Sequence, residues 1–171
     1  MQIRPATSED LELVHRLAVE IWWPTYHAIL PADQITFMLE DMYSVEALEQ
    51  QFSEGLRFVL AESEGRPVGF MGFINAGGPE GIFRIEKLYI LPSEQGRGTG
   101  RALIGYANDL ALKEGAKILE LNVNRSNPAF FFYQRAAFTI YREADIPYHR
   151  YVLNDYIMRR PAEDKNPGSE G

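Results

Sequence analysis

The amino-acid sequence predicts an α+β protein of mixed α/β layers, with a single central, mostly antiparallel sheet and helices on both faces. Three observations carry that expectation. Apolar residues recur at helical spacing through about the first 55 residues, and the pattern then shortens to the two-residue period of strands. A glycine-rich stretch from Gly96 then leads into a further helix, after which strand patterns resume. The resulting order is strand, helices, several consecutive strands, helix, strand, helix, two strands, which fits one sheet covered on both sides.

Each element has a local reason. "QIRPAT" reads as a short opening strand, and Thr7 with Asp10 three residues on forms a capping-box start. The helix that follows aligns Leu11, Val14, Leu17, Ala18 and Ile21 on one face, and Pro24 interrupts it. A second helix is expected over about Asp33 to Met42, and "SVEALEQQF" begins a third at a Ser44 cap. "RFVLAES", the turn "EGRP" and "VGFMGFIN" form a hairpin; "GGPEG" is a loop; "IFRIEKLYIL" is a strand ended by Pro92. Leu103, Ile104, Ala107, Leu110 and Ala111 make one helical stripe. "KILELNV" is a strand, and "NPAFFFYQRAAF" a short helix with Asn127 as N-cap and Pro128 at its first position. "FTIYRE" and "RYVLNDYIMRR" close the sheet, so one domain is expected over residues 1–160. The polar, Pro- and Gly-rich tail over residues 161–171 is expected to be disordered.

Composition narrows the function. With 171 residues, 46% hydrophobic and 24% charged, the chain fits one soluble core. It holds no run of about 18 apolar residues for a membrane span, and its first residues lack an apolar signal core, so a cytoplasmic location is expected. Cysteine is absent, which excludes disulfides, thiolate metal sites and cysteine nucleophiles. The three histidines, His15, His27 and His149, have no metal-pair spacing, so no metal is expected. A net charge of −7 disfavours nucleic acid and favours a cationic small molecule.

The sharpest local signal is "EQGRGTGRAL", with Gly96, Gly98 and Gly100 at the mouth of a helix. A helix N-terminus exposes unpaired N–H groups at the positive end of its dipole. Glycines there let the backbone turn tightly and meet an anion closely, which suits a phosphate or pyrophosphate. Arg97 and Arg101 add cations at the rim. No Lys-Ser or Lys-Thr follows, against a Walker loop, and the G-x-G-x-G spacing after several strands fits a dinucleotide fingerprint poorly. A plain glycine connector is the remaining alternative.

"LYILPSEQGRGTGRAL" resembles motif A of the GNAT superfamily of N-acetyltransferases, Q/R-x-x-G-x-G/A, with Gln95, Gly98 and Gly100 at the matching positions. "LNVNRSNPAFFFYQRAAF" resembles the second signature of that family, and "ESEGRPVGFMGF" its hairpin. The resemblance covers the chain to about residue 160. It implies the GNAT fold, with acetyl-CoA as co-substrate and its pyrophosphate held by Gln95, Gly96, Arg97, Gly98, Thr99, Gly100 and Arg101. It further implies that the backbone of Leu88, Tyr89 and Ile90 pairs with the pantetheine arm as an added strand, with Asn127 and Tyr133 also at the coenzyme. Two departures stand out. Ala137 occupies the place of a common glycine, and Asn127 lies six residues before Tyr133 where many relatives have seven, the earlier position being Ser126.

Acetyl transfer to an amine needs a proton acceptor, a stabilised oxyanion and a proton for the departing thiolate. Without cysteine, direct attack in a ternary complex is the natural route, and the resemblance implies the same. Glu86 is the candidate base. Strict alternation puts it with Arg84, Leu88 and Ile90 on one face, opposite Ile85, Lys87, Tyr89 and Leu91. A carboxylate on such a central strand would be buried and its pKa raised; the equal alternative is an ion pair with Arg84. Tyr133 is the candidate acid, matching the family tyrosine near the coenzyme sulfur, and alternatively a half-buried aromatic beside Phe130, Phe131 and Phe132.

The acceptor is read as a small primary amine. "EIWWPTYHAILPADQITFMLEDMYSVEAL" and "DIPYHRYVLNDYIMRR" resemble the bacterial spermidine/spermine N-acetyltransferase branch. Trp22, Trp23, Tyr26 and Tyr43 with Glu20, Glu40 and Asp41 would form an aromatic, acidic cleft for a polyamine, or else belong to core and solvated surface. The alternatives are acetylation of a protein N-terminus or lysine, and a non-catalytic acetyl-CoA sensor. No membrane or nucleic-acid partner is expected, and a homodimer accords with the resemblance.

Overall fold

Strand β1 (Gln2–Pro5) leads through a short 3-10 turn (Ser8–Asp10) into α1 (Leu11–Tyr26), α2 (Ala32–Tyr43) and α3 (Val45–Ser53). Then follow β2 (Arg57–Ser63), β3 (Arg66–Gly77), β4 (Ile82–Ile90), α4 (Thr99–Lys113), β5 (Ile118–Asn124), α5 (Ala129–Arg135), β6 (Thr139–Tyr148) and β7 (Tyr151–Pro161). These elements come from a computed structural model that describes residues 1–164. The strands form one seven-stranded sheet in the order β1-β2-β3-β4-β5-β7-β6. Every pairing is antiparallel except β4 with β5. Helices α1–α3 pack one face, where Leu11, Val14, Ile21, Ile35 and Leu48 meet Phe58, Leu60 and Phe70. Helix α4 covers the other with Leu103, Ile104, Ala107 and Ala111 on Met71, Phe73, Phe83 and Ile85.

The helix start signals act as the sequence implies. The Thr7 amide donates to Asp10 Oδ2 at 2.8 Å, and Arg4 grips the same carboxylate at 3.0 Å. That pairing holds the Asp10 carboxyl down at about 2. The Ser44 hydroxyl accepts from the Ala47 amide at 3.1 Å. Asn127 Oδ1 accepts from the Ala129 amide at 2.9 Å, so its side chain caps the start of α5.

Three expectations are corrected. Pro24 does not interrupt α1, which runs on to Tyr26. A proline so near the end removes only one i→i−4 bond, and Thr25 Oγ1 donates to the Ile21 carbonyl at 2.7 Å beside it. The chain also stays hydrogen-bonded past residue 160. Pro161 closes β7, the Ala162 amide donates to the Lys117 carbonyl at 2.9 Å, and the Glu163 amide to Asn108 Oδ1 at 3.1 Å. The rest of the expected tail, 165–171, lies outside the described residues.

The third correction is to the alternation of β4. Gly72 pairs with Lys87 but Phe73 pairs with Ile85, so Glu86 is an extra residue, a β-bulge. A bulge resets which face each side chain takes. Phe83 and Ile85 face the α4 layer before it, and Leu88 and Ile90 face the same layer after it. Arg84 therefore lies on the opposite face from Leu88 and Ile90.

The turn after α5 keeps its left-handed geometry with Ala137, at φ +72°. The Phe138 amide donates to the Tyr133 carbonyl at 3.0 Å and the Ala137 amide to that of Gln134 at 3.0 Å, a Schellman pair. A left-handed alanine costs about 1 kcal/mol relative to glycine.

Candidate active site

The site begins where the sheet opens. Strands β4 and β5 pair only over Ile82–Ile85 and Ile118–Leu121. Beyond that they diverge, each held on its outer side: β4 by β3 as far as Ile90, and β5 by β7 as far as Asn124. The β5-facing edge of Glu86–Ile90 therefore presents backbone groups without a strand partner. The bulge at Glu86 sits at the point of divergence.

The wedge opens into a cavity of about 940 Å³ that reaches from the start of α4 to the α1–α2 layer. At one end stands the glycine loop. Gly98, at φ +84°, is the N-cap of α4, and Gly96 has φ +82°. Among the described residues, the amides from Gly96 through Arg101 have no hydrogen-bond acceptor, and the helix ladder begins with the Ala102 amide on the Gly98 carbonyl at 3.0 Å. Six consecutive free donors at a helix N-terminus match a diphosphate. Any Cβ at Gly96 or Gly98 would meet open space, so their need for glycine is the left-handed backbone. Gly100 differs. A Cβ there would lie 2.7 Å from Phe132 Cζ and 3.2 Å from Ile90 Cδ1, so it is glycine to let α5 and β4 close on the helix.

Most of the expected coenzyme residues converge on this cavity. Leu88, Tyr89, Ile90, Gln95, Gly96, Gly98, Thr99, Gly100, Arg101, Asn127 and Tyr133 all line it. Arg97 does not; its exposed guanidinium leans toward Glu94 at 3.9 Å, leaving only its amide to the cradle. Asn127 lines the cavity and Ser126 does not. The Asn127 amide is engaged by the Ala129 N–H and, at 3.5 Å, by the Tyr26 hydroxyl, so it braces the wall.

Tyr133 is 6% exposed and borders the cavity. Burial, with the neighbouring Tyr26 phenol, pushes its hydroxyl well above the ordinary tyrosine range, so it stays protonated and able to donate. Glu86 also lines the cavity, but on the bulge it is exposed rather than buried, and its Oε1 sits 3.2 Å from Arg84 Nε. Both roles weighed for Glu86 are thus geometrically open: it is paired and it faces the cavity.

On the acceptor side the walls are aromatic. Trp22, Tyr26, Tyr43 and Tyr89 pack with ring centroids 4.5 to 6.4 Å apart, and the Tyr26 and Tyr89 hydroxyls lie 3.0 Å from each other. Leu30, Met38 and Met42 from the helical layer and Leu153 from β7 complete the lining. The β6–β7 hairpin is pinned onto α2. The Tyr148 hydroxyl donates to Asp41, the Tyr151 hydroxyl to Asp33 at 2.9 Å, and His149 Nε2 lies 3.4 Å from Asp41. The acidic cleft imagined from sequence is corrected here. Trp23, Glu20, Glu40 and Asp41 do not line the cavity, because they lie on the outer surfaces of α1 and α2.

Two other charged residues stand in their place. Asp155 on β7 is 9% exposed, accepts from Asn122 Nδ2 at 3.2 Å and is pushed up by burial. Lys87 is 7% exposed, and burial lowers its ammonium to about 8. Both are charged residues at buried positions of their strands. That signal exists in "RIEKLYIL" and "VLNDYIM", but the bulge hides the facing of the first.

Comparison with known proteins agrees with this geometry. A family model for the acetyltransferase (GNAT) domain matches residues 27–145. An uncharacterized N-acetyltransferase of Bacillus subtilis is 28% identical over 140 residues, covering 77% of this chain and 76% of its own. The spermidine N(1)-acetyltransferase of Thermoplasma acidophilum is 27% identical over 146 residues, covering 82% of this chain and 89% of its own. The crystal structure of a Thermoplasma acidophilum PaiA N-acetyltransferase in complex with coenzyme A matches with a TM-score of 0.80 at 26% identity, over 94% of this chain and 98% of that one. A sheet that splays into a cradle of free amides, in a chain matched this way, places the protein in the GNAT family as an acetyl-CoA-dependent N-acetyltransferase.

Proposed function

We propose that the enzyme transfers the acetyl group to the primary amine of a small molecule, by direct attack in a ternary complex. The observation that carries this is one continuous cavity. It runs from the free amides of Gly96–Arg101, along the open edge of β4, past the Tyr133 hydroxyl, to an aromatic pocket beneath α1 and α2.

In this reading the amides from Gly96 through Arg101 hold the diphosphate, with Gln95, Thr99 and Arg101 around it. The backbone of Leu88, Tyr89 and Ile90 pairs with the pantetheine arm, which seats the thioester at the divergence of β4 and β5. Glu86, directly or through water, accepts the proton of the acceptor ammonium. The amine then attacks the thioester carbon; as the C–S bond breaks, Tyr133 protonates the departing thiolate, and the extra proton on the nitrogen returns to the tyrosine, directly or through water. A small acceptor is favoured because side chains of α1, α2 and β7 wall the far end of the cavity and the β6–β7 hairpin is tied to α2 by Tyr148, Tyr151 and His149. A spermidine acetyltransferase among the relatives speaks for a polyamine; the outward placement of Glu20, Glu40 and Asp41 speaks against one.

A thiol-release assay with acetyl-CoA tests this against spermidine, putrescine, amino acids, aminoglycosides and N-terminal peptides. Release with at least one small amine is expected. Release with peptides alone would make the enzyme a protein acetyltransferase. Coenzyme binding with no release for any acceptor would make it a sensor.

A further inference from the structure

Lys87 is the buried cation that the reaction scheme leaves unused. Its place is built by the sheet. The residue follows the Glu86 bulge, pairs with Gly72 in β3 and lies on the face covered by the helical layer. A Cβ at Gly72 would lie 3.3 Å from Lys87 Cδ and 3.1 Å from Phe58 Cε1, so the glycine makes room for the lysine stem. The Nζ rests over the Tyr43 ring, 4.3 Å from its centroid. Lys87 borders the main cavity together with Trp22, Met38, Met42 and Tyr43.

Among the described residues this ammonium has no carboxylate within 4.0 Å and no hydrogen-bond acceptor, although it is 7% exposed. The other cation on this side, Arg84, is fully engaged. It meets Glu86 at 3.2 Å and Glu120 at 2.5 Å, and donates to Asn122 Oδ1 at 2.5 Å. Glu86, next in sequence to Lys87, is turned to Arg84 and makes no ion pair with the lysine. A buried ammonium without an anion is costly, and one ring face offsets only part of that. An anionic group on a bound molecule would complete the set.

We propose that Lys87 is a specificity determinant for the acceptor, and that the preferred acceptor carries a carboxylate as well as the amine to be acetylated. The carboxylate meets the Lys87 ammonium beside Tyr43, and the amine points along the aromatic wall toward Tyr133. A single ammonium over the Tyr43 ring matches a monoanion; a phosphate dianion would call for more donors than this ammonium offers. The same cation repels the second ammonium of a diamine or polyamine. This inference rests on the small-amine reading above and decides among its acceptors.

The test compares acceptors that differ by one carboxylate, L-ornithine with putrescine and L-lysine with cadaverine, on the wild type, Lys87→Met and Lys87→Arg. The wild type is expected to favour the amino acid of at least one pair in kcat/KM by about tenfold or more. Lys87→Met is expected to abolish that preference, and Lys87→Arg to retain part of it, with coenzyme A affinity by calorimetry unchanged. A wild-type preference for the diamine in both pairs would overturn the inference. So would a Lys87→Met loss of the same size for the amino acid and the diamine of each pair, which would assign the lysine to the acetyl group instead. Calorimetric binding of ornithine and putrescine to the coenzyme-loaded protein separates the two readings. Ornithine binding that is lost in Lys87→Met, with no acetyl transfer to any amine, would sink the catalytic reading and leave only the carboxylate contact at Lys87 standing.

Discussion

Gly100 and Phe132 touch through an absence: a single methyl on the glycine would stand 2.7 Å from Cζ of the phenylalanine. That contact locks α5, which carries Tyr133, against the first turn of α4, which carries the free amides. The glycines of the loop therefore answer to two different physical demands, and substitution should separate them. Gly98→Ala forces φ +84° on a side chain with open space around it, and should cost about 1 kcal/mol. Gly100→Ala forces overpacking and should cost about 1–3 kcal/mol. Phe132→Leu should restore the melting temperature of Gly100→Ala and leave that of Gly98→Ala where it was. Equal rescue of both would refute the distinction.

The left-handed Ala137 offers a gain. Ala137→Gly keeps the Schellman pair from Phe138 and Ala137 to Tyr133 and Gln134 and removes the Cβ penalty. Stability should rise by about 1 kcal/mol, or about 2–4 °C in a domain of this size, in a thermal melt. A lower melting temperature would show that the turn is not under the strain its φ implies.

Lys87 ties stability to pH. Burial brings its pKa from an ordinary 10.5 to about 8. Between these values the unfolded chain holds the proton and the folded chain has released it, so stability rises with pH across that window. Below pH 8 the buried charge costs the folded state roughly 3 kcal/mol at most. Lys87→Met should therefore melt higher than the wild type at pH 7, with the gap closing from pH 8 to 10.5. A pH-independent gap would mean that the ammonium is well solvated.

The two proton-transfer assignments separate by readout. Tyr133→Phe removes a protonated hydroxyl at the cavity wall and should lower kcat about 100-fold, with coenzyme A affinity within about twofold. Glu86→Gln should lower kcat about tenfold or more if the carboxylate accepts the proton. If it serves only to neutralise Arg84, kcat will hold and only the melting temperature will fall.

Much of this was legible in the chain. The Thr7–Asp10 and Ser44 start signals, the amphipathic stripes and the turn residues are local, because a cap or a helical face is settled within about four residues. The motif "QGRGTG" marks the helix start whose amides stay free, since a helix N-terminus offers the same donors wherever it occurs. Pro24 misled because its effect depends on how much helix follows, and only two further residues did.

What the sequence by itself determined was the order of elements, the cradle and the family. What only the tertiary structure decided was the facing of single side chains around the bulge at Glu86. One extra residue on β4, set by its pairing with Gly72 and Phe73 across the sheet, splits Arg84 from Leu88 and brings the Lys87 ammonium to Tyr43. A one-residue register change moves every later side chain to the other face, and it is written in the partner strand as much as in the strand itself.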